Sequence, residues 1–196
     1  VNELCEHGVE RFRSLGTTLD YFVPTYGIPG NSYSETIKKV LLKTIQSEYD
    51  SSSKPAIALN QFISGYTAAL ADYRVLLASD DEQKLPHLHT FSESTFGEPI
   101  EQFEFDGRKF SRSSLNYLLG LAFLKKHLNG FIPKTILEIG GGFGTLGEIC
   151  SFSGIPNQRY IDIDIPPTSF VAQHYLANIF GKEMVETYAK TVNSDC

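Results

Sequence analysis

The chain has 196 residues, of which 41% are apolar, and this is enough to build the core of one or two small domains. Its net charge of −6 argues against nucleic acid or an anionic membrane as the main partner, and no apolar run approaches the ~20 residues that span a bilayer. Three scattered cysteines (Cys5, Cys150 and Cys196) indicate neither a disulfide framework nor a zinc site, so we expect a cytoplasmic protein.

Residues 1–99 are predicted to form a helical N-terminal subdomain and a connection. Apolar positions recur at helical spacing up to about residue 77, most clearly in residues 34–49, where Ser34 is the expected N-cap. Breaks at residues 24–30 and 51–55 divide this region into three helical stretches. Residues 79–99 are polar and contain several prolines, which predicts a long surface connection.

Residues 100–196 are predicted to form a second unit that begins with a hairpin. Apolar and polar side chains alternate over residues 102–110 about Asp106-Gly107, a strong hairpin signal. Ser113 or Ser114 is then expected to cap a helix through about Leu128, which Asn129-Gly130 terminates. Strands at residues 135–139 and 159–163 follow, each with a helix behind it, at about 145–152 and 168–180. This β-α-β-α order predicts the opening of a doubly wound parallel sheet in an α/β fold.

The first of these strands carries one acid and opens directly into closely spaced glycines, at residues 135–144 (TILEIGGGFG). A chain that turns sharply from strand to helix needs glycine, which adopts positive φ freely and lets a ligand approach where a Cβ would block it. The sequence therefore predicts a ligand site at this loop.

The glycines fit two registers. Counted from Gly142, they match the dinucleotide fingerprint, with Asp162 about 20 residues further on as the ribose-binding acid. Counted from Gly140, they alternate and follow Glu138, and Asp164 becomes the acid at the end of the next strand. We prefer the second register, because a buried carboxylate beside a pyrophosphate is costly unless the ligand brings a cation. S-adenosylmethionine brings two, a sulfonium and an α-ammonium.

Residues 137–144 (LEIGGGFG) resemble motif I of the class I S-adenosylmethionine-dependent methyltransferases. Residues 160–166 (YIDIDIP) and 172–176 (AQHYL) are similar to the narrower family of sugar O-methyltransferases, as are residues 95–99 (TFGEP) less specifically. The resemblance covers roughly residues 91–180. It implies half of a Rossmann-like methyltransferase sheet, S-adenosylmethionine as cofactor and a sugar-like small molecule as methyl acceptor.

The glycine loop is expected to contact the methionine moiety of this cofactor, and Asp164 to accept hydrogen bonds from the ribose hydroxyls. Ile163 and Ile165 are candidates for the adenine wall, with sheet core as the equal alternative. We interpret Asp162 as structural and paired with Arg159. The residues predicted to bind the cofactor are Glu138, Gly140, Gly141, Gly142, Phe143, Gly144, Ile163, Asp164 and Ile165.

Three histidines are interpreted as surface or packing residues. His87 and His89 lie on one side of an extended segment, but two ligands without a third do not predict a metal site. His174 is interpreted as a half-exposed packing residue. No catalytic base is assigned, because such groups commonly follow later strands of this type of sheet.

About 60 residues follow the start of the first strand, roughly half of what a complete sheet of this kind requires. We therefore expect the parent protein to continue past Cys196, or the sheet edge to pair with another copy of the chain or with the hairpin. Two other functions stay open: an NAD-dependent oxidoreductase, and a non-catalytic, truncated cofactor-binding domain.

Overall fold

A computed structural model of the chain describes Val9, Phe12, Arg13 and residues 35–99, 101–128 and 130–187. This described part has an α/β architecture with six α-helices and two small sheets. The helices are α1 (Glu35–Glu48), α2 (Lys54–Ile63), α3 (Tyr66–Ser79), α4 (Arg112–His127), α5 (Thr145–Ser151) and α6 (Thr168–Phe180). The strands are β1 (Phe103–Phe105), β2 (Arg108–Phe110), β3 (Thr135–Ile139) and β4 (Arg159–Ile163). The predicted first helical stretch, the break at 24–30 and the Ser34 cap lie outside the described residues.

The third predicted helical stretch is two helices, α2 and α3. Gly65 separates them with a left-handed backbone, at φ +83°, which ends one helix and begins the next. Helix α2 begins at an N-cap, Ser53, whose side chain accepts a hydrogen bond from the backbone N–H of Ala56. Ala56 and Ile63 then pack against Ile45 of α1, so the first two described helices share a small core of their own.

The predicted hairpin is confirmed. β1 and β2 pair antiparallel with Phe103 opposite Phe110, and both turn residues, Asp106 and Gly107, have positive φ (50° and 73°). The phenol of Tyr73 on α3 donates to Asp106 Oδ2 at 2.7 Å. The hairpin is therefore attached to the helical region before it.

Helix α4 begins earlier than predicted, because its N-cap is Ser111. The Ser111 hydroxyl accepts from the backbone N–H of Ser114 at 3.1 Å, and the Ser114 hydroxyl accepts from the backbone N–H of Ser111 at 3.0 Å. This reciprocal pair is a capping box. The two predicted caps are therefore helical residues. Ser114, the third residue of the helix, is the partner of the cap, and Ser113 is the second residue.

The prediction that residues 79–99 form a surface connection is wrong in its central part. Leu88 and Phe91 lie in the main core, and Glu93 is buried too. Their core partners come from α3, the hairpin, α4 and Ile149 of α5, so the segment fills the space between elements on both sides of residue 99. The position of a domain boundary at this point stays a prediction.

The predicted β-α-β-α order is confirmed, with β3 and β4 paired in parallel. Helices α5 and α6 pack on one face of this pair, where the Tyr160 ring lies close to Gly147 of α5 and where Ile136 faces Ile149. The opposite face is apolar and exposed in the described part of the chain. It consists of Leu137, Ile139, Ile161 and Ile163. The hairpin does not pair with this sheet, because its two strands form a separate one.

Candidate functional site

The glycine loop leaves the carboxyl end of β3 and leads into α5. The backbone N–H of Gly140 bonds to the Ile163 carbonyl of β4 at 2.8 Å, which fixes the loop to the neighbouring strand. Gly140, Gly142 and Gly144 have φ values of 75°, 64° and 93°. A Cβ at Gly140 or Gly142 would meet no atom within 4 Å, whereas one at Gly144 would touch the Leu176 side chain at 3.0 Å. The first two glycines thus face open space, and the third allows α6 to approach.

Gly141 is required for a different reason, because three polar side chains crowd its Cα. A Cβ there would lie 2.5 Å from Asp162 Oδ1 and 2.9 Å from both Glu138 Oε2 and the Tyr160 hydroxyl. No larger residue fits without moving these groups. The consecutive glycines therefore leave open space beside the backbone at Gly140 and Gly142, and at Gly141 they allow the acidic side chains to approach closely.

Both acids at the end of β4 bond to backbone N–H groups of the loop. Gly141 N–H donates to Asp162 Oδ1 at 3.2 Å, and Gly142 N–H donates to Asp164 Oδ2 at 2.9 Å. The second oxygen of Asp164 accepts from the N–H of Ile165 at 2.6 Å. The structural role predicted for Asp162 is supported by its loop bond, but its partner is Gly141 and not Arg159.

The carboxylate of Glu138 is held by two tyrosines. Tyr117 of α4 donates to Oε1 at 2.7 Å, and Tyr160 of β4 donates to Oε2 at 2.6 Å. Burial, followed by the hydrogen bond to Glu138, raises the pKa of Tyr160, so its phenol stays a proton donor. Sequence reasoning missed both tyrosines. Parity along the strands could have indicated Tyr160, which lies on the same face as Glu138 and Asp162.

The three carboxylates give the loop a concentrated negative charge. Burial raises the pKa of Asp162, the Gly141 N–H opposes this, and the nearby carboxylates of Asp164 and Glu138 raise it further. Within the described ranges, none of the three carboxylates forms an ion pair with a lysine, arginine or histidine. The electrostatics of the site therefore favour a cationic group over an anionic one.

The other predicted cofactor residues, Phe143, Ile163 and Ile165, differ in the exposure of their side chains. The Phe143 ring is buried against Phe12 and Tyr175, so only its backbone is available to a ligand. Ile163 and Ile165 are 53% and 75% exposed. The alternative prediction, that these two side chains are part of the sheet core, is therefore wrong within the part of the chain that the structure describes.

A buried ionic cluster lies directly behind the loop, and sequence reasoning missed it. Arg13 forms an ion pair with Glu93, and its guanidinium lies 5.0 Å from the centre of the Phe143 ring. Glu148, in the first turn of α5, accepts from the Ser94 N–H and from the Tyr175 hydroxyl, each at 2.7 Å. No spacing rule could have joined these residues, because more than 50 positions separate Glu93 from Glu148 in the chain.

The remaining candidates do not form a second site. Lys125 bonds to Asp80 Oδ1 at 2.6 Å, and His89 Nδ1 is 3.8 Å from the other oxygen of this carboxylate. Among the described residues no group of three or more histidine, cysteine or acidic side chains could hold a metal ion. His174 is half-buried against the Phe96 ring, as predicted. Burial raises the pKa of Cys150 to about 12, so this buried thiol stays protonated at neutral pH.

The chain matches no family model, no curated protein and no solved structure. None of the helices in the described ranges has the length and hydrophobicity of a bilayer-crossing segment.

Proposed function

We propose that the glycine loop binds S-adenosylmethionine and that the protein transfers its methyl group to an oxygen of a small molecule. The resemblance to the sugar O-methyltransferases points to a sugar hydroxyl as acceptor. The observation that carries the proposal is the use of the loop N–H groups. Two of them already donate to the protein's own carboxylates, Asp162 and Asp164.

This arrangement disfavours a dinucleotide. The pyrophosphate of NAD binds to free N–H groups at the start of a helix, after a glycine-rich turn. In this loop the N–H groups of Gly141 and Gly142 are occupied, and a phosphate would meet the charges of Asp162, Asp164 and Glu138. A ligand with an ammonium and a sulfonium gains from the same carboxylates.

The residues present fit the proposed cofactor. Each Asp164 oxygen accepts one backbone bond and retains a lone pair for a ribose hydroxyl. Gly140 and Gly142 leave open space above the loop, and the exposed side chains of Ile163 and Ile165 offer an apolar surface to adenine. The bound cofactor would supply an activated methyl group, while the chain would bind it and orient it towards the acceptor.

The test is calorimetric titration of the protein with S-adenosylmethionine and, separately, with NAD. We expect binding of the first ligand and none of the second. Gly142→Val should abolish this binding, because the added methyl groups occupy the open space above the loop. Gly130→Val is the matched control, since Gly130 has a similar φ (68° against 64°) and equally open surroundings outside the site. Binding of NAD alone, or unchanged affinity in Gly142→Val, would contradict the proposal.

A second comparison separates the two registers. Asp164→Ala should weaken S-adenosylmethionine binding by about 1.5–3 kcal/mol, the contribution of hydrogen bonds to a charged group. Asp162→Ala should cost less, because Asp162 bonds to the loop backbone from the covered face of the sheet. A larger loss in Asp162→Ala would favour the dinucleotide register instead.

A further inference from the structure

Glu138 lies near the end of β3, two residues before the glycine loop, and is the acid that distinguishes the two ligand classes. Two hydrogen bonds fix its side chain. Both carboxylate oxygens accept a phenol O–H, at 2.7 Å from Tyr117 and 2.6 Å from Tyr160. The phenols donate in both bonds, so the two together fix the orientation of the carboxylate. Each oxygen keeps a further lone pair, so the held carboxylate can still accept from a ligand.

The two tyrosines are not equivalent. Tyr160 belongs to β4, and its ring also packs against Gly147 and crowds Gly141, so it is part of the support of the loop. Tyr117 belongs to α4, which precedes the strand-and-loop unit altogether. Its hydroxyl reaches Glu138 from outside that unit. Without this bond, Oε1 of Glu138 would lose its partner, and repulsion by Asp162 on the same face would displace the carboxylate.

We infer that Tyr117 is a positioning residue for the amino-acid end of the cofactor, because it holds Glu138 where its carboxylate meets the α-ammonium. The inference rests on the proposed function and adds a residue to that same site. Tyr117 touches Glu138 and is assigned no contact with the ligand. Its removal should therefore affect only ligands that carry the ammonium group.

Two ligands and two variants test this in the full chain. S-adenosylhomocysteine carries the adenosine, the thioether and the amino-acid end, whereas 5′-methylthioadenosine lacks the amino-acid end. Tyr117→Phe should weaken the binding of S-adenosylhomocysteine on the order of tenfold. The displaced Glu138 carboxylate would lose its hydrogen bond to the α-ammonium, and a hydrogen bond to a charged group contributes at least that much. The variant's affinity for 5′-methylthioadenosine should stay within about twofold, the effect of a change that breaks no ligand contact. The control is Tyr73→Phe, which removes a phenol–carboxylate bond of equal length, 2.7 Å to Asp106, at the hairpin.

The possible results are distinguishable. If Tyr117→Phe weakens both ligands equally, Tyr117 only supports the loop, and the inference is overturned while the proposed function stands. An unchanged affinity for both ligands, or an equal loss in Tyr73→Phe, overturns the inference in the same way. If the unaltered protein binds neither ligand, both the inference and the proposed function fail. Melting curves of the two variants, recorded in parallel, show whether either loses its fold.

Discussion

Replacement of the buried Glu148 by glutamine should remove a large part of the pH dependence of stability. Glu148 is 1% exposed and lies behind the glycine loop. Its pKa is raised from an ordinary 4.5 to about 7, mainly by burial. The charge of the neighbouring Glu93 contributes to this rise, while hydrogen bonds from Tyr175 and from the backbone N–H of Ser94 oppose it. Glutamine keeps the shape and can still accept the bond from the Ser94 N–H, whereas its amide nitrogen would donate to the Tyr175 oxygen instead of accepting from it. It cannot ionise.

The sign and size of the effect follow from linkage. Because the folded protein binds the Glu148 proton more tightly than the unfolded chain does, this group contributes stability that is fully present below about pH 4.5 and is lost as the pH rises through about 7. The pKa difference is about 2.5, and one pKa unit corresponds to about 1.4 kcal/mol, so the loss is about 3 kcal/mol. The pKa of Glu93 is raised in the same direction, again mainly by burial.

The assay is urea unfolding of the unaltered protein and of Glu148→Gln at several pH values between 4 and 8. The free energy of unfolding of the variant, relative to the unaltered protein, should increase by about 3 kcal/mol across this range. Glu82→Gln is the control, because Glu82 is exposed in the folded protein and its replacement should give a constant difference. Parallel pH curves for Glu148→Gln and the unaltered protein would refute the reasoning.

Two further predictions concern the buried ion pair and the exposed sheet face. Arg13→Met should lower the free energy of unfolding by about 3–5 kcal/mol, because it leaves Glu93 buried without its cation. Glu93→Gln in the same chain should recover most of this loss. No recovery in the double variant would contradict this explanation. Ile139→Ser should change stability by no more than about 0.5 kcal/mol, since this side chain is 80% exposed. Ile149→Ser in the core should cost more than about 2 kcal/mol in the same denaturant titration. Equal losses at Ile139 and Ile149 would mean that the sheet face is covered in solution.

The sequence by itself determined the elements that depend on local backbone geometry. Asp106-Gly107 fixes the hairpin because both residues tolerate positive φ, and the glycine run marks the strand-to-helix turn for the same reason. The start of α4 was harder to locate, since three serines at positions 111, 113 and 114 can all cap a helix. The structure selects Ser111, whose backbone N–H and hydroxyl both donate to Glu93 from a distant part of the chain.

The candidate site divides in the same way. Glu138, Asp164 and the open glycines could be named from spacing, because the two strands and the loop are consecutive in the chain. The tyrosine from α4 that holds Glu138 could not, since no periodicity relates a helix to the strand it packs against. The burial of Glu93 and Phe91 was missed for a similar reason. Their segment is polar and contains prolines, and it is buried only because α3, the hairpin, α4 and α5 pack around it.

Tertiary structure also decided which face of the parallel pair is covered. Alternation along β3 and β4 places Leu137, Ile139, Ile161 and Ile163 on one face, which by hydrophobicity alone would be the buried one. The opposite face, with Glu138 and Asp162, is the one that α5 and α6 cover. The usual hand of β-α-β connections places successive helices on the same side while strands are added in one direction. The strand sequences determine that the two faces differ, and only the packing of the helices determines which one they cover.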